Sequence, residues 1–181
     1  MFTRTARLLL RPGWAEDAPA LAAAIGDERI VRNLATAPWP YRLRDAEAFL
    51  AQPRDPLLPS FLVFERTDGE PLLVGSCGLG RRPSGTVELG YWIARAFWGR
   101  GFATEASAAL VDIARTLRLS RLQASYFLDN PASGRVLDKL GFEPIGITAP
   151  RLSCARSAEA PAKMLALDLV ASAGEPESMA A

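Results

Sequence analysis

The sequence predicts an α+β fold with a mixed, mostly antiparallel sheet and helices on both faces. Three observations support this: apolar runs on both sides of Asp68-Gly69, a third apolar run from Thr86 to Ala94, and two strand–helix pairs after it. Asp-Gly between apolar runs is a strong hairpin signal, and strand runs followed by alternating helices and strands are typical of α+β domains. The 181 residues fit one domain over residues 1–170 and a disordered tail over 171–181.

The N-terminal third is predicted to form one strand and three helices. Residues 7–12 form a short apolar strand that Pro12 and Gly13 end. A helix follows, with Asp17 as its N-cap and Gly26 at its exit. DERIVRNL and residues 44–52 are expected to form two more helices.

The C-terminal half alternates helix and strand. Residues 101–117 are predicted to form a long amphipathic helix, and residues 121–128 the next strand. A second helix starts at Asn130, an N-cap residue, and ends at Gly141. EPIGIT and AKMLALDLV are weaker strand candidates. The glycine-rich GSCGLG lies inside the second hairpin strand, which predicts a twisted or bulged strand there.

Composition excludes several classes of function. The chain has no histidine, which rules out Ser-His-Asp or Cys-His triads and histidine-ligated metals. Cys77 and Cys154 form no C-x-x-C pair, so no metal site is expected. A net charge of +1 gives no bulk electrostatic case for binding nucleic acid or an anionic membrane. The early apolar run, Leu8 to Leu10, is too short for a secretory signal or a membrane span, so we expect a cytoplasmic protein.

The stretch WGRGFATEAS, residues 98–107, places two glycines around an arginine just before a helix. Free N–H groups from Gly99 to Thr104 would converge on an anion, and Arg95 and Arg100 add positive charge. The alternative is an ordinary strand-to-helix turn with a surface arginine, and this stretch alone does not decide between them. It matches neither the Rossmann nor the P-loop pattern.

A second helix start, Asn130 to Ser133, follows the next strand. Taken alone it is explained by capping, with Asn130 as the cap and Ser133 in the first turn. Two such starts in consecutive strand–helix units favour a split cleft for an extended ligand that carries phosphate groups.

The segments TARLLLRPGWAEDAPAL, ELGYWIARAFWGRGFATEA and NPASGRVLDKLGF together resemble the GNAT acetyltransferase superfamily. More narrowly, they resemble the branch that contains the enzymes acetylating the N-termini of ribosomal proteins. The resemblance implies a three-layer α/β/α fold, a splayed coenzyme A cleft and acetyl-CoA as cosubstrate.

The acyl-coenzyme A signature of the superfamily, [Q/R]-x-x-G-x-[G/A], places Gly101 and Ala103 in its last two positions and Trp98 in the first. Trp98 departs from the usual Gln or Arg. The superfamily's usual tyrosine acid would fall on Leu137, and Ser133 is the implied replacement. The residues that the resemblance assigns to the coenzyme are Ile93, Ala94, Arg95, Gly99, Arg100, Gly101, Phe102, Ala103, Thr104, Asn130 and Ser133.

Acetyl transfer to an amine needs a polarised carbonyl, a neutral amine and a stabilised thiolate. Backbone N–H groups near Ile93 and Ala94 are the predicted oxyanion site, and Ser133 is the predicted donor to sulfur. Without histidine, the base is either a carboxylate or a chain of water molecules. Glu88 is the candidate carboxylate, although a solvated strand carboxylate is nearly as ordinary an explanation.

Two hypotheses follow. The first is an N-acetyltransferase acting on a small-molecule or peptide amine by direct attack in a ternary complex, as a monomer or homodimer. The second is a catalytically weak acyl-CoA-binding regulatory module, which the missing tyrosine keeps open. Residues 26–60 and 149–161 are expected to select the acceptor.

Overall fold

One open sheet forms the centre of the molecule. The computed structural model describes residues 1–156 and 158–169, and within them the sheet has eight strands. The strands are β1 (Thr3–Arg4), β2 (Leu8–Arg11), β3 (Ser60–Glu65), β4 (Leu72–Arg81), β5 (Val87–Ile93), β6 (Arg121–Phe127), β7 (Glu143–Arg151) and β8 (Ala160–Asp168). They are arranged in the order β1-β2-β3-β4-β5-β6-β8-β7. The predicted tail over 171–181 lies outside the described residues.

The helices are α1 (Ala18–Ile25), α2 (Glu28–Val31), α3 (Leu43–Ala51), α4 (Phe102–Thr116) and α5 (Pro131–Lys139). Short 3₁₀ turns cover Ala15–Asp17 and Arg95–Phe97. Among the described residues, no helix combines the length and apolar character that crossing a membrane requires.

The pairing of β5 with β6 is the exception in the sheet. All other neighbours are antiparallel and most pair over several residues, but β5 and β6 are parallel and share a single register pair, Glu88 with Gln123. Parallel strands that continued side by side would bond at regular intervals. After Glu88 the two strands therefore separate and leave an opening in the middle of the sheet.

The residues of β3 show how the sheet is covered on both faces. Phe61 and Val63 belong to the core cluster that includes α4 and Leu137 of α5. Leu62 and Phe64 belong to the cluster formed with α1 and α3. Successive strand side chains point to opposite faces, so α4 and α5 cover one face and α1 and α3 the other. The predicted α+β fold with helices on both faces is confirmed.

Most predicted elements occur where the sequence placed them. The hairpin across Asp68-Gly69 joins β3 and β4, and α5 starts after Asn130, with Gly141 in a left-handed conformation at φ 84°. The glycine-rich residues 75–80, for which a twisted or bulged strand is predicted, pair with β5 in regular register, and the irregularity of β4 lies just before them. Val63 pairs with Gly75 while Phe64 pairs with Leu73, so Val74 is the extra residue of a β-bulge.

Glu105, in the first turn of α4, ties this helix to the N-terminal strands. Its carboxylate accepts hydrogen bonds from the Thr5 hydroxyl, the Arg7 backbone N–H at 2.9 Å and Arg7 Nε at 2.8 Å. Burial alone would raise the pKa of Glu105, but the hydrogen bonds from Thr5 and Arg7 outweigh it and lower that pKa. The sequence suggests only compensation of the helix dipole here, and the structure adds an anchor.

The substitution Glu105→Gln is expected to lower the free energy of unfolding by about 1–3 kcal/mol at neutral pH, because charged hydrogen bonds are lost. In the folded state the pKa of Glu105 lies below its ordinary value of 4.5. The stability that the charged carboxylate adds to the fold is therefore complete above about pH 4.5 and is lost as the pH falls through the folded pKa. Urea unfolding at neutral pH and at about pH 3 should therefore show the difference from wild type shrinking in acid.

The matched control is Glu47→Gln, which changes an exposed glutamate of α3. We expect it to alter stability by less than about 0.5 kcal/mol at either pH. A difference between wild type and Glu105→Gln that does not depend on pH would contradict the anchor.

Candidate active site

A cavity of about 980 Å³ occupies the opening between β5 and β6. One side is lined by the start of α4 and α5, including Thr104 and Ser133. The other side is lined from α1, α3 and the connections around them, including Tyr41, Phe49 and Leu34. The cavity therefore passes from one face of the sheet to the other, which suits two ligands that meet in the middle.

The start of α4 offers free backbone donors to this cavity. Gly99 and Gly101 have φ of 77° and 81°, a left-handed conformation that favours glycine. The bond from the Glu105 N–H to the Gly101 carbonyl, at 3.1 Å, begins the helical pattern. The N–H groups of Phe102, Ala103 and Thr104 precede it, at the positive end of the helix dipole. These residues form the predicted cradle, and Gly99 to Thr104 will be called the α4 cradle.

The arginine of the α4 cradle faces away from the cavity. The Arg100 guanidinium forms an ion pair with Glu65 and lies over the Phe102 ring, 4.7 Å from its centre. The Arg100 carbonyl accepts a hydrogen bond of 2.9 Å from Arg7 Nη1. Arg95 pairs with Asp27 at 3.5 Å. Neither arginine lines the cavity, and each is paired with a carboxylate, so the charge predicted near the anion is shared with Glu65 and Asp27.

The exposed edge of β5 differs from the prediction by one residue. The Ala94 N–H donates to the Val74 carbonyl at 2.8 Å, so this amide faces β4 and is not available to a ligand. Successive amides in a strand face opposite neighbours, so those of Ile93 and Tyr91 face β6, beyond the last pairing of the two strands. The prediction that the Ala94 amide is a free oxyanion donor is therefore wrong, and the amides that face the opening are those of Ile93 and Tyr91.

Trp98 fixes the end of this edge. Its indole Nε1–H donates to the Ile93 carbonyl at 2.7 Å. The departure from the usual Gln or Arg of the signature thus exchanges a polar side chain for a donor to β5. This bond holds the end of β5 next to the α4 cradle.

The first turn of α5 brings two predicted residues to the cavity. Asn130 occupies the N-cap position, but its side chain makes no capping hydrogen bond and it lines the cavity. Ser133 meets Tyr91: the Tyr91 Oη lies 2.8 Å from Ser133 Oγ and 3.0 Å from the Ser133 carbonyl oxygen. Burial raises the pKa of Tyr91 to about 12. Leu137, at the position of the superfamily's usual tyrosine, is buried in the core.

Glu88 lies on the opposite face of β5 from Tyr91, beside the cavity. Its carboxylate pairs with Arg82, with Arg151 at 2.8 Å and with the Ser125 hydroxyl at 3.0 Å. The Glu88 side chain is only 11% exposed. The predicted base therefore lines the cavity, where it forms ion pairs with two guanidiniums.

Arg156 ties together the segments after α2, after β6 and after β7. Its guanidinium donates to the Arg32 carbonyl at 2.7 Å, to Asn33 at 3.2 Å and to Asp129 at 2.9 and 3.0 Å, and it stacks on Phe127 at 4.1 Å. The segment after β7 is thereby fixed to α2 and to the residue that precedes Asn130.

Sequence reasoning missed Tyr91, Arg151 and Arg156. Strand alternation already placed Tyr91 on the face opposite Glu88, which is a usable signal. Its meeting with Ser133 depends on where α5 crosses the sheet. Two of the three hydrogen-bond partners of Arg156, Arg32 and Asn33, lie more than a hundred residues away in the sequence, so no local pattern reveals them.

A comparison with known families is decisive at this point. The family described as Acetyltransferase (GNAT) domain matches residues 7–143, which include the α4 cradle, β5 and α5. The chain belongs to the GNAT acetyltransferase family. It is therefore an acetyl-CoA-dependent acetyltransferase, and the predicted resemblance is confirmed.

Two relatives agree with this assignment. A protein described as an uncharacterized N-acetyltransferase, p20 of Bacillus licheniformis, is 29% identical over 151 residues, covering 79% of this chain and 83% of that protein. The uncharacterized N-acetyltransferase YoaA of Bacillus subtilis is 30% identical over the same length and coverage.

Solved structures show the same fold. A GNAT acetyltransferase from Bacillus anthracis superposes with a TM-score of 0.78 at 22% identity, covering 93% of this GNAT chain and 99% of that one. RimL, described as a ribosomal L7/L12 alpha-N-protein acetyltransferase in complex with coenzyme A, gives 0.73 at 18% identity, covering 93% and 98%. MccE, in complex with acetyl-CoA and AMP, gives 0.75 at 16%, covering 91% and 93%. Ribosomal-protein acetyltransferases are thus among the structural neighbours, as the predicted branch implies.

Replacing Arg156 with alanine is expected to lower the free energy of unfolding by about 1–2 kcal/mol, because several hydrogen bonds and the stacking on Phe127 are lost together. The control is Arg115→Ala, which removes an exposed helix pair with Asp112 at 3.0 Å. That change should cost less than about 0.5 kcal/mol. Urea denaturation measures both, and equal effects would show that the Arg156 contacts contribute no more than a surface pair.

Proposed function

We propose that this GNAT enzyme transfers the acetyl group of acetyl-CoA to a primary amine by direct attack in a ternary complex. The observation that carries the proposal is the convergence of three features on one cavity. These are the free amides of the α4 cradle, the open edge of β5 and the Ser133 hydroxyl at the start of α5.

The residues present fit the coenzyme. A diphosphate is recognised by converging N–H groups at the positive end of a helix, which the α4 cradle supplies. The Asn130 side chain, not used in capping, is free to contact the amide-rich pantetheine arm in the opening between β5 and β6. Acetyl-CoA supplies the thioester whose acetyl group is transferred.

Polarisation of the thioester carbonyl is assigned to the β5 edge. The amides of Ile93 and Tyr91 face the opening and have no strand partner there. Preorganised backbone donors of this kind stabilise the negative charge that develops on a carbonyl oxygen during acyl transfer. Trp98 keeps this part of the strand in place through the Ile93 carbonyl.

Stabilisation of the departing thiolate is assigned to Ser133. A serine hydroxyl is a much weaker acid than a thiol, so we assign it the role of hydrogen-bond donor to sulfur rather than proton source. The C–S bond breaks with its electron pair on sulfur, and the proton that completes the thiol originates from the acceptor nitrogen.

Glu88 is proposed to accept the amine proton through water. Ile93 lies five positions after Glu88, which corresponds to about 17 Å along an extended strand. A base at that distance does not touch an amine that attacks a carbonyl bound near Ile93. Since Glu88 lines the cavity, a chain of water molecules in the cavity can connect the two.

The acceptor is proposed to enter from the α1–α3 side. Tyr41, Leu34 and Leu152 line that part of the cavity, and they fall in the segments predicted to select the acceptor. The matching structures include RimL, described as a ribosomal L7/L12 alpha-N-protein acetyltransferase. A peptide N-terminus and a small amine are therefore both candidate acceptors.

A second candidate is an acyl-CoA-binding module with weak turnover. Two observations favour it: Glu88 is held by Arg82 and Arg151, and the usual tyrosine position is the buried Leu137. Such a module would bind the coenzyme but release no thiol with any acceptor.

Coenzyme binding is tested at Gly101. Alanine at a left-handed position costs roughly 1–2 kcal/mol, and the chain relaxes by turning the N–H groups away from the ligand. We therefore expect Gly101→Ala to weaken coenzyme A binding about tenfold in calorimetry. Gly85→Ala is the matched control, since Gly85 has φ 85° in the turn between β4 and β5 with no other atom within 4 Å of an added Cβ. Equal affinities of the two variants would contradict the cradle.

Turnover is tested by release of coenzyme A thiol over a panel of primary amines and peptides. Glu88→Gln should lower kcat roughly 100-fold or more with at least one acceptor, as expected for loss of a general base, while coenzyme affinity is retained. The control Glu143→Gln changes an exposed glutamate of β7 and should turn over like wild type. Tight coenzyme binding without thiol release from any acceptor would favour the binding module instead.

A further inference from the structure

Tyr91 and Ser133 meet across the opening in the sheet. Tyr91 belongs to β5 and Ser133 to the first turn of α5, so the two hydroxyls join the elements that bound the coenzyme side of the cavity. The Oη–Oγ distance is 2.8 Å, and the same Oη lies 3.0 Å from the Ser133 carbonyl oxygen. Both residues line the cavity.

The two hydroxyls carry one proton each, which limits their arrangements. When Tyr91 donates to the Ser133 carbonyl, the serine proton can return to Tyr91 Oη and is then not directed at a ligand. When Tyr91 donates to Ser133 Oγ, the serine proton must point away from Tyr91. Because Ser133 lines the cavity, the proton is then available to a ligand there. Hydrogen bonds in such a chain strengthen one another, so negative charge beyond the serine favours the second arrangement.

The phenol is suited to donate. Burial raises the pKa of Tyr91 to about 12, so it keeps its proton throughout the physiological range. Tyr91 therefore cannot act as a base at neutral pH, and its hydroxyl is always able to donate.

We propose that Tyr91 is a positioning residue for this reaction: its phenol holds Ser133 Oγ and directs the serine proton at the coenzyme sulfur. This inference rests on the proposed function. Neither hydroxyl loses its proton in the step. The electron pair of the broken C–S bond stays on sulfur, and the acceptor nitrogen supplies the proton that forms the thiol.

The decisive readout is the titration of bound coenzyme A, followed by the ultraviolet absorbance of its thiolate. A hydrogen bond from Ser133 stabilises the thiolate, so the thiol pKa should be lowered in wild type and return toward the free value in Ser133→Ala. Tyr91→Phe should give most of the same return, although it leaves the serine in place. An unchanged titration in Tyr91→Phe would overturn the inference.

Kinetics provide an independent arm. Tyr91→Phe should lower kcat about tenfold with unchanged KM for acetyl-CoA, and the double variant with Ser133→Ala should lose little more than Ser133→Ala alone. Additive losses would overturn the inference. The control is Tyr126→Phe. Tyr126 of β6 packs against Gly134 of α5, the residue after Ser133, but forms no hydrogen bond with Ser133. It should match wild type.

A third arm keeps Tyr91 in place, should Tyr91→Phe fail to fold. Incorporation of 3-fluorotyrosine makes the phenols stronger donors, so the pKa of the bound thiol should fall further, and the effect should vanish in Ser133→Ala. No effect of the label would overturn the inference. Failure of the proposed function has a different signature, namely wild type that releases no thiol with any amine, and the thiol titration remains informative in that case.

Discussion

The separation of two parallel strands is the constraint on which the site depends. β5 and β6 pair at one position, Glu88 with Gln123, and then diverge. Without this divergence the amides of Tyr91 and Ile93 would be used within the sheet, as the amide of Ala94 is used by Val74. The opening also lies between the starts of α4 and α5. One break in backbone pairing thus produces the cavity, exposes its donors and sets two helix ends at its rim.

Contacts outside the cavity keep its donors in place. Glu105 binds Thr5 and Arg7, and Arg100 pairs with Glu65, so the turn before α4 is fixed from both sides. Arg156 connects the segment after β7 to Arg32 and to Asp129, which precedes Asn130. Electrostatic stabilisation of a transition state requires donors that need no reorganisation, so the proposed role of the backbone amides depends on contacts of this kind. The arginines near the α4 cradle pair with carboxylates, and its amides are the groups that we propose bind the coenzyme.

Local patterns were sufficient for much of this account. Asp68-Gly69 predicted a hairpin, the period of the apolar residues predicted α4, and Asn130 with Gly141 predicted both ends of α5, because each signal lies within a few residues of its effect. The side-chain pairs of the site were not predictable in this way. Whether Ala94 or Tyr91 presents its amide depends on the register of β5 against β4, and the Tyr91–Ser133 contact depends on how α5 lies over the sheet. Register and packing are set by the whole core rather than by neighbouring residues.

We propose that the opening between β5 and β6 receives the coenzyme, with its diphosphate on the α4 cradle and its sulfur beside Ser133. A crystal structure of the protein with coenzyme A measures this directly. The account predicts diphosphate oxygens within hydrogen-bond distance of the N–H groups of Phe102 to Thr104, and the sulfur within that distance of Ser133 Oγ. Coenzyme density elsewhere on the protein, with the cradle amides bound only to water, would contradict it.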